Sequence, residues 1–226
     1  VAIRGTISDG HDFIEKAIEL GASAIICDTL PAAISEGVTY VQVKDTNAAL
    51  AVVAANYYDN PSKKLQLVGV TGTNGKTTVA TLLYKLFSEL GYTCGLISTV
   101  QNHIGTEIIA ATHTTPDAIQ LNALLDKMVQ AGCTHVFMEV SSHAIHQHRV
   151  TGLNFTGGVF TNITHDHLDY HKNLKNYLQA KLYLFSSLLK KNSFAIIDTD
   201  IPEYLLLKKI CNKRKIKILS FGSRGN

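Results

Sequence analysis

The sequence has no tryptophan, only four prolines and only four cysteines in 226 residues. The cysteines Cys27, Cys94, Cys133 and Cys211 are far apart and form no Cys-x-x-Cys pair. This spacing excludes a zinc ribbon and a disulfide-dense secreted domain. We therefore expect reduced, mostly buried thiols in a cytoplasmic protein, with neither a signal peptide nor a membrane-spanning segment.

Charged residues are also scarce, at 17% of the chain, and the formal net charge is only +3. Basic residues are concentrated only between Lys208 and Lys217. We interpret that stretch as the solvated end of a helix rather than as a nucleic-acid patch, so we expect no nucleic-acid partner. The hydrophobic fraction of 46% is enough for one large core or two small ones.

The first part of the chain alternates short strands with helices. A helical stripe begins at Phe13, and strands are predicted at Ala24–Cys27 and Tyr40–Val43, followed by a helix over Asn47–Tyr58. The segment Asp59–Lys64 contains Pro61 and breaks these patterns. We therefore predict a small N-terminal α/β domain over residues 1–60, incomplete at its start, and a second domain over 61–226, incomplete at its end.

The second part also alternates strands and helices, which predicts an α/β fold with a doubly wound, mostly parallel sheet. The predicted strands are 65–70, 94–98, 136–140, 159–162, 194–197 and 216–220. The predicted helices follow the loop after 65–70, to about Leu90, and span 117–130, 174–189 and 203–213. In such sheets, ligands bind at the carboxyl ends of the strands, and polar residues follow several of them.

A glycine-rich loop, Thr71-Gly72-Thr73-Asn74-Gly75-Lys76-Thr77-Thr78, lies between a predicted strand and a predicted helix. This is the arrangement of a phosphate-binding loop, in which backbone N–H groups converge on a phosphate. Lys76 would neutralise phosphate charge, and Thr77 would offer a hydroxyl to Mg²⁺. Val70 stands where the general motif has its first glycine, so a turn that binds nothing is the alternative interpretation.

Acidic and histidine side chains follow two other strands. Glu139 ends the strand that begins at Val136, where a carboxylate could hold Mg²⁺. His165, Asp166, His167, Asp169 and His171 lie within seven residues, and such groups ligate metals or carry protons. A phosphate loop in the same chain favours Mg²⁺, while a metallohydrolase centred on this cluster remains the alternative.

Four further side chains could take part in the chemistry of the site. Ser142 and His143 are adjacent but lack a nucleophile elbow and an orienting acid, so we reject them as a catalytic pair. Arg149 suits an anionic substrate, because its guanidinium pairs with carboxylate or phosphate. Lys181 lies in an apolar helical stripe, and its spacing alone suggests a snorkelling surface residue without a role.

Several of these segments, in this order, resemble the Mur ligases of peptidoglycan synthesis. They are Thr71–Thr78, Glu139–His143, Gln147–Arg149 and Thr161–His171, and the opening Arg4–Ile14 resembles the family's uridine-side domain. Within the family, the set is most similar to the MurE-type ligases. These enzymes use ATP to add the third stem-peptide residue to UDP-N-acetylmuramoyl-L-alanyl-D-glutamate, through an acyl phosphate.

The resemblance implies roles for individual residues, with ATP and Mg²⁺ as cofactors and the UDP-muramoyl dipeptide and an amino acid as substrates. The implied ATP-binding residues are Gly72, Thr73, Asn74, Gly75, Lys76, Thr77 and Thr78. The implied substrate-binding residues are Thr114, Thr115, Ser141, Gln147 and Arg149. The implied metal ligands are Thr77, Glu139, His167 and, if carbamylated, Lys181. The implied catalytic residues are Lys76, Lys181 and His167.

The resemblance leaves some alternatives open. One alternative is another ligase of the superfamily, such as a different Mur enzyme, folylpolyglutamate synthetase or cyanophycin synthetase. A second alternative is a non-catalytic nucleotide-binding module. The incoming amino acid, diaminopimelate or lysine, is not specified, because the family's selecting C-terminal domain is not part of this sequence. We expect the 226-residue chain alone to be inactive.

Overall fold

A computed structural model describes residues 1–5 and 8–223, apart from the side chain of Leu168. Thr6 and Ile7, within the N-terminal motif, lie outside the described residues. The strands are β1 Ala24–Cys27, β2 Thr39–Gln42, β3 Gln66–Thr71, β4 Cys94–Ile97, β5 Gln101–Ile104, β6 Glu107–Ala110, β7 His135–Glu139, β8 Phe155–Phe160, β9 Leu189–Asp198 and β10 Lys217–Phe221. The α-helices are α1 Ile14–Glu19, α2 Thr46–Tyr57, α3 Lys76–Glu89, α4 Ala118–Gln130, α5 Ser142–His146, α6 Leu168–His171, α7 Leu174–Tyr183 and α8 Tyr204–Arg214.

Eight strands form one sheet in the order β10-β9-β8-β3-β7-β4-β5-β6. The six strands from β10 to β4 are parallel, and β5 and β6 add an antiparallel edge. The carboxyl ends of β3, β7, β4 and β8 therefore meet at one edge of the sheet. The predicted doubly wound, mostly parallel α/β fold is confirmed.

Both faces of the sheet are covered, which explains why its central strands are apolar almost throughout. Helix α3 packs on one face, against a cluster that includes Val70, Leu96 and Phe137. Helices α4, α5 and α8 pack on the other face, where Leu67 and Met138 lie in the larger core. Alternate residues of a strand point to opposite faces, so β3 places Leu67 in one core and Val70 in the other.

The N-terminal segment has its own small core around Ala2, Ile14, Ile25 and Cys27, beside the parallel pair of β1 and β2. Helix α2 packs against α4 of the large sheet. Asp45 caps α2, because its carboxylate accepts a hydrogen bond from the backbone N–H of Ala48. The N-terminal segment is thus placed beside the carboxyl edge of the sheet by α2.

Predicted and observed elements differ at several places. The strand predicted over 159–162 lies earlier in the chain, as β8, and the strand predicted over 194–197 is longer, as β9. The hairpin of β5 and β6 was not predicted, because each strand has four residues and Gly105 interrupts the pattern. Helices α5 and α6 were also missed, since each has at most five residues. The predicted helix over 174–189 ends as α7 at Tyr183 and continues as a π-helical turn over Leu184–Leu188.

The cysteines, the basic stretch and the lengths of the helices bear on what the composition predicted. All four cysteines are free and buried, as predicted. Lys208 and Lys213 lie on α8, which ends at Arg214, so the basic stretch is a helix end. Among the described residues, no helix is both long enough and apolar enough to cross a bilayer.

Candidate active site

The phosphate loop has the predicted form of strand, glycine-rich turn and helix. Gly72 adopts φ +146°, and a Cβ there would lie 1.9 Å from Thr161 Oγ1. Gly75 adopts φ +84° directly before α3. Both positions therefore require glycine, one for close packing against Thr161 and one for left-handed backbone.

Only part of the loop offers its backbone N–H groups to a ligand. Thr73 N–H donates to the carbonyl of Asn162, and Asn74 N–H donates to Asn162 Oδ1. Val79 N–H makes the first bond of helix α3, to the carbonyl of Gly75. The backbone N–H groups at the start of α3 therefore have no partner within the helix. They belong to Lys76, Thr77 and Thr78 and are available to bind an anion. In this structure, the N–H groups of Thr73 and Asn74 are therefore engaged by Asn162.

Lys76 folds back over its own loop. Its Nζ donates to the carbonyls of Gly72 at 3.1 Å and of Thr73 at 2.8 Å. Burial lowers the pKa of Lys76. A cation held only by carbonyl oxygens keeps its charge available for a phosphate in the same cleft.

Lys181 is the largest departure from the spacing argument, because it is 1% exposed rather than at the surface. Its Nζ donates to the Gly72 carbonyl at 2.6 Å and lies 4.4 Å from the ring centroid of Tyr177. Burial, together with the charge of Lys76, lowers the pKa of Lys181 to about 7. Burial therefore favours the neutral amine far more than it is favoured in a solvated lysine.

Glu139 links three segments at the sheet edge and is 1% exposed. Its Oε1 accepts hydrogen bonds from Thr77 Oγ1 at 2.8 Å, from Thr99 N at 2.8 Å and from Thr99 Oγ1 at 3.1 Å. A carboxylate beside a threonine hydroxyl is the oxygen donor set that Mg²⁺ prefers. The residues present therefore fit the predicted cation.

The histidine rings pack against one another in edge-to-face and tilted arrangements and do not form a cage of metal ligands. The ring of His143 lies 4.8 Å from that of His167 and 5.6 Å from that of His171. Burial, together with His143, lowers the pKa of His171 to about 4, so this ring is neutral at physiological pH. Among residues 1–5 and 8–223, no group of three histidine, cysteine or carboxylate side chains is placed to hold a metal.

Ser142 does pair with a histidine, but not with its neighbour. His171 Nε2 lies 3.0 Å from Ser142 Oγ. Ser142 is 1% exposed and lines neither cleft described below, so its hydroxyl is not accessible to a substrate. This agrees with the rejection of Ser142 as a nucleophile.

Two clefts meet at this edge of the sheet. The smaller, of about 490 Å³, is lined by Thr73, Asn74, Gly75, Lys76, Thr77, Thr99, His113, Thr114, Glu139, Ser141, His143, Arg149 and His167. The larger, of about 1200 Å³, lies between the N-terminal segment and helices α4 to α7, and Gln147 and Arg149 line it. Arg149 belongs to both clefts, so the predicted phosphate and substrate residues form one continuous site.

Four of the predicted site residues, Gly72, Thr78, Thr115 and Lys181, line neither cleft. Thr115 lies behind the wall, where its Oγ1 donates to the carbonyl of Glu139 and its carbonyl accepts from Arg149. Gly72 is buried and is bonded by Lys181, whereas Thr78 is exposed on the first turn of α3.

Three residues at the site were not identified from the sequence. Thr99 bonds Glu139, Asn162 bonds both the N–H and the carbonyl of Asn74, and Tyr170 bonds Gln147. Thr99 follows the carboxyl end of β4, so the rule that ligands bind at strand ends could have indicated it. Asn162 and Tyr170 lie in the segment Thr161–His171 that carries the resemblance, but their individual contacts could not be predicted, because their partners are distant in sequence.

Comparison with known proteins follows the same division of the chain. Residues 70–226 match the family model described as the Mur ligase middle domain, and residues 1–58 match that described as the Mur ligase family, catalytic domain. The UDP-N-acetylmuramoyl-L-alanyl-D-glutamate--2,6-diaminopimelate ligase of Cytophaga hutchinsonii is 58% identical over 201 residues, which are 88% of this chain and 41% of the relative. The ligase of the same name from Bacteroides fragilis is 53% identical over 224 residues, 99% of this chain and 45% of the relative.

Solved structures agree with these relatives. A structure of a UDP-N-acetylmuramoyl-L-alanyl-D-glutamate--2,6-diaminopimelate ligase superposes with a TM-score of 0.83 at 31% identity, covering 96% of this chain and 44% of that one. The MurF ligase of Thermotoga maritima in complex with ADP superposes at 0.56 and 23% identity, over 99% of this chain and 47% of that one, which shows a shared fold. The chain thus spans less than half the length of these relatives. With its middle-domain match over 70–226 and its phosphate loop facing Glu139 and Lys181, this chain belongs to the Mur ligase family.

Proposed function

We propose that the full-length protein is an ATP-dependent ligase that adds diaminopimelate to UDP-N-acetylmuramoyl-L-alanyl-D-glutamate in peptidoglycan precursor synthesis. The observation that carries this proposal is the continuity of the two clefts at Arg149, which puts an anionic-substrate site next to the phosphate loop. The similar relatives named for diaminopimelate support that amino acid over lysine.

The proposed reaction has two steps. A substrate carboxylate oxygen attacks the γ-phosphorus of ATP, and ADP leaves, which gives an acyl phosphate. The amine of the incoming amino acid then attacks the acyl carbon, loses a proton and displaces inorganic phosphate, so an amide forms. The first step brings two anions together, and the site must offset their repulsion.

The phosphate loop would provide most of that compensation. We assign ATP binding to Gly72–Thr78, with the N–H groups of Lys76, Thr77 and Thr78 facing the phosphates. Lys76 would leave the loop carbonyls and pair with the transferring phosphoryl group. Because the backbone N–H groups at the start of α3 are fixed before the reaction, they need little reorganisation as charge moves.

Mg²⁺ would be held by Thr77, Glu139 and His167. The contact of Thr77 with Glu139 supports this assignment, and His167 lines the same cleft. The cation would neutralise phosphate charge when bound. Thr99 would keep Glu139 oriented toward Thr77, because its N–H and hydroxyl both bond Oε1.

Lys181 is proposed to react with CO₂ through its neutral amine. The nitrogen forms a bond to the carbon of CO₂ and loses a proton, so a buried amine becomes a carbamate anion. Its low pKa and its position beside Gly72 support this proposal, since carbamylation removes a cation next to Lys76. The resulting carboxylate would be a further Mg²⁺ ligand.

The UDP-muramoyl dipeptide would occupy the larger cleft, with Thr114, Thr115, Ser141, Gln147 and Arg149 at its reactive end. We retain the division into residues 1–60 and 61–226, because Pro61 begins a turn after α2 and the two family models match on either side. We also propose a cytoplasmic protein, which its four free thiols support.

The test is a coupled assay on the full-length protein with ATP, Mg²⁺ and UDP-muramoyl dipeptide. Phosphate release should require ATP, Mg²⁺, the UDP-muramoyl dipeptide and diaminopimelate. Lysine should be a much less effective replacement for diaminopimelate. Release with folate or another Mur substrate in place of the dipeptide would contradict the assignment. Carbon NMR with isotope-labelled bicarbonate should show a carbamate signal that disappears in Lys181→Met.

A further inference from the structure

Arg149 is a cation held only by neutral groups. Its Nε and one terminal nitrogen donate to Gln147 Oε1 at 2.9 and 2.6 Å, and the other terminal nitrogen donates to the Thr115 carbonyl at 2.9 Å. No carboxylate among residues 1–5 and 8–223 pairs with it. The guanidinium therefore retains its charge for an anion and has N–H groups left to bind one.

The orientation of the Gln147 amide follows from the chemistry of its neighbour. A guanidinium carries only donors, so Gln147 must present its oxygen to Arg149. Its nitrogen then faces away, and Nε2 donates to the hydroxyl of Tyr170 at 3.2 Å. Both ends of the amide are thus engaged, one by Arg149 and one by Tyr170.

Tyr170 is itself fixed at both its ring and its hydroxyl. The ring lies 4.2 Å from that of His143, which lines the phosphate cleft. The hydroxyl also lies 3.0 Å from His146 Nδ1, within hydrogen-bond distance. The side chains of Arg149, Gln147, Tyr170 and His146 therefore form one connected hydrogen-bonded series.

We propose that Tyr170 is a positioning residue for substrate binding, which acts on Arg149 through Gln147. The proposal rests on the function proposed above, which has Arg149 bind the UDP-muramoyl dipeptide. The terminal torsion of a glutamine is soft, and the contact with Tyr170 restrains the end of the amide that faces away from Arg149. Without that contact the amide keeps its oxygen toward Arg149 but is free to shift, so Arg149 is held less firmly.

The test compares Tyr170→Phe with wild type in the full-length enzyme. The ring and its stacking are kept, and only the hydroxyl is removed. The KM for UDP-muramoyl dipeptide should rise about three- to tenfold, which is the loss of one hydrogen bond, while the KM for ATP stays constant. Gln147→Ala should raise the same KM, and adding Tyr170→Phe to it should have no further effect.

Tyr84→Phe is the matched control. Tyr84 lies on α3 and donates its hydroxyl to the Gly105 carbonyl at 2.8 Å, away from both clefts. It should change stability about as much as Tyr170→Phe does, with no change in either KM. A Tyr170→Phe enzyme with unchanged KM for the dipeptide, or with both KM values raised equally, would overturn the proposal.

A second readout does not depend on the reaction. The Arg149 Nε–H signal in nitrogen NMR, assigned by its loss in Arg149→Lys, should exchange slowly in wild type and quickly in Tyr170→Phe. Equal exchange in both proteins would also overturn the proposal. If wild type fails to turn over the dipeptide, the proposed function is wrong, while this signal still decides whether Tyr170 holds Arg149.

Discussion

The phosphate loop and the wall that faces it are held in different ways. The loop presents consecutive backbone groups, and its shape depends on Gly72, Gly75 and the contacts of Asn162. The facing wall presents side chains from β7, the segment after α5, and α7, including Glu139 and Lys181. A site built from backbone groups should tolerate side-chain changes other than at its glycines and at Lys76, whereas a site built from side chains depends on every partner that orients them.

Lys76→Ala should have the largest effect, because Lys76 is the mobile cation of the loop. We expect turnover to fall roughly 100- to 1000-fold, since a pre-positioned charge at the transferring group is lost. Direct binding of the UDP-muramoyl dipeptide should stay unchanged, because the facing wall is intact. Retained turnover would favour the metallohydrolase centred on His165–His171 instead.

Gly72→Ala tests whether the loop depends on its glycines. The new Cβ would overlap Thr161 Oγ1, so we expect a loss of about 3 kcal/mol in the free energy of unfolding. Gly75→Ala is the control, since nothing lies within 4 Å of its Cβ and only backbone strain of about 1 kcal/mol is added. Urea denaturation measures both variants. If Gly72→Ala and Gly75→Ala lower the free energy of unfolding equally, packing against Thr161 is unimportant.

Lys181→Met tests the cost of burying an amine in the wall. The folded pKa of Lys181 is about 7 and the reference value is 10.5, so between these values only the unfolded chain binds the proton. Stability of the wild type therefore falls as pH decreases from 10.5 to 7. In buffer free of CO₂, we expect the variant to be more stable by on the order of 2 kcal/mol at pH 7 and below.

That gain should disappear as pH rises toward 10.5. Lys85→Met is the control, because it makes the same substitution at a lysine that is exposed on α3. Urea denaturation of both variants across this range measures the effect. A Lys181→Met protein that is less stable than wild type at pH 7 would mean that the bond to Gly72 outweighs burial.

Thr99→Val should have the smallest effect. It removes one of the hydrogen bonds to Glu139 Oε1 and keeps the backbone N–H bond. We expect kcat to fall about three- to tenfold, as for one ordinary hydrogen bond, because the backbone N–H still holds Glu139. Thr99→Ser keeps the hydroxyl and should restore the rate, so equal rates in both variants would exclude this role.

Lys181 and Tyr170 show why part of the site could not be predicted. Helical periodicity identified the stripe of Tyr177 and Lys181, but periodicity does not specify what the stripe packs against. In the fold, the stripe faces Gly72 instead of solvent. The resemblance to a family indicated Lys181, whereas nothing in the residue pattern around Tyr170 pointed to Gln147.

By itself, the sequence determined the alternation of strands and helices and the form of the phosphate loop, because both depend on neighbouring residues and on glycine's access to positive φ. The tertiary structure decided the low pKa of Lys181, the occupation of the Thr73 and Asn74 amides by Asn162, and the neutral support of Arg149. These properties come from partners distant in the chain, since burial and hydrogen bonding depend on which segments the sheet brings to one edge.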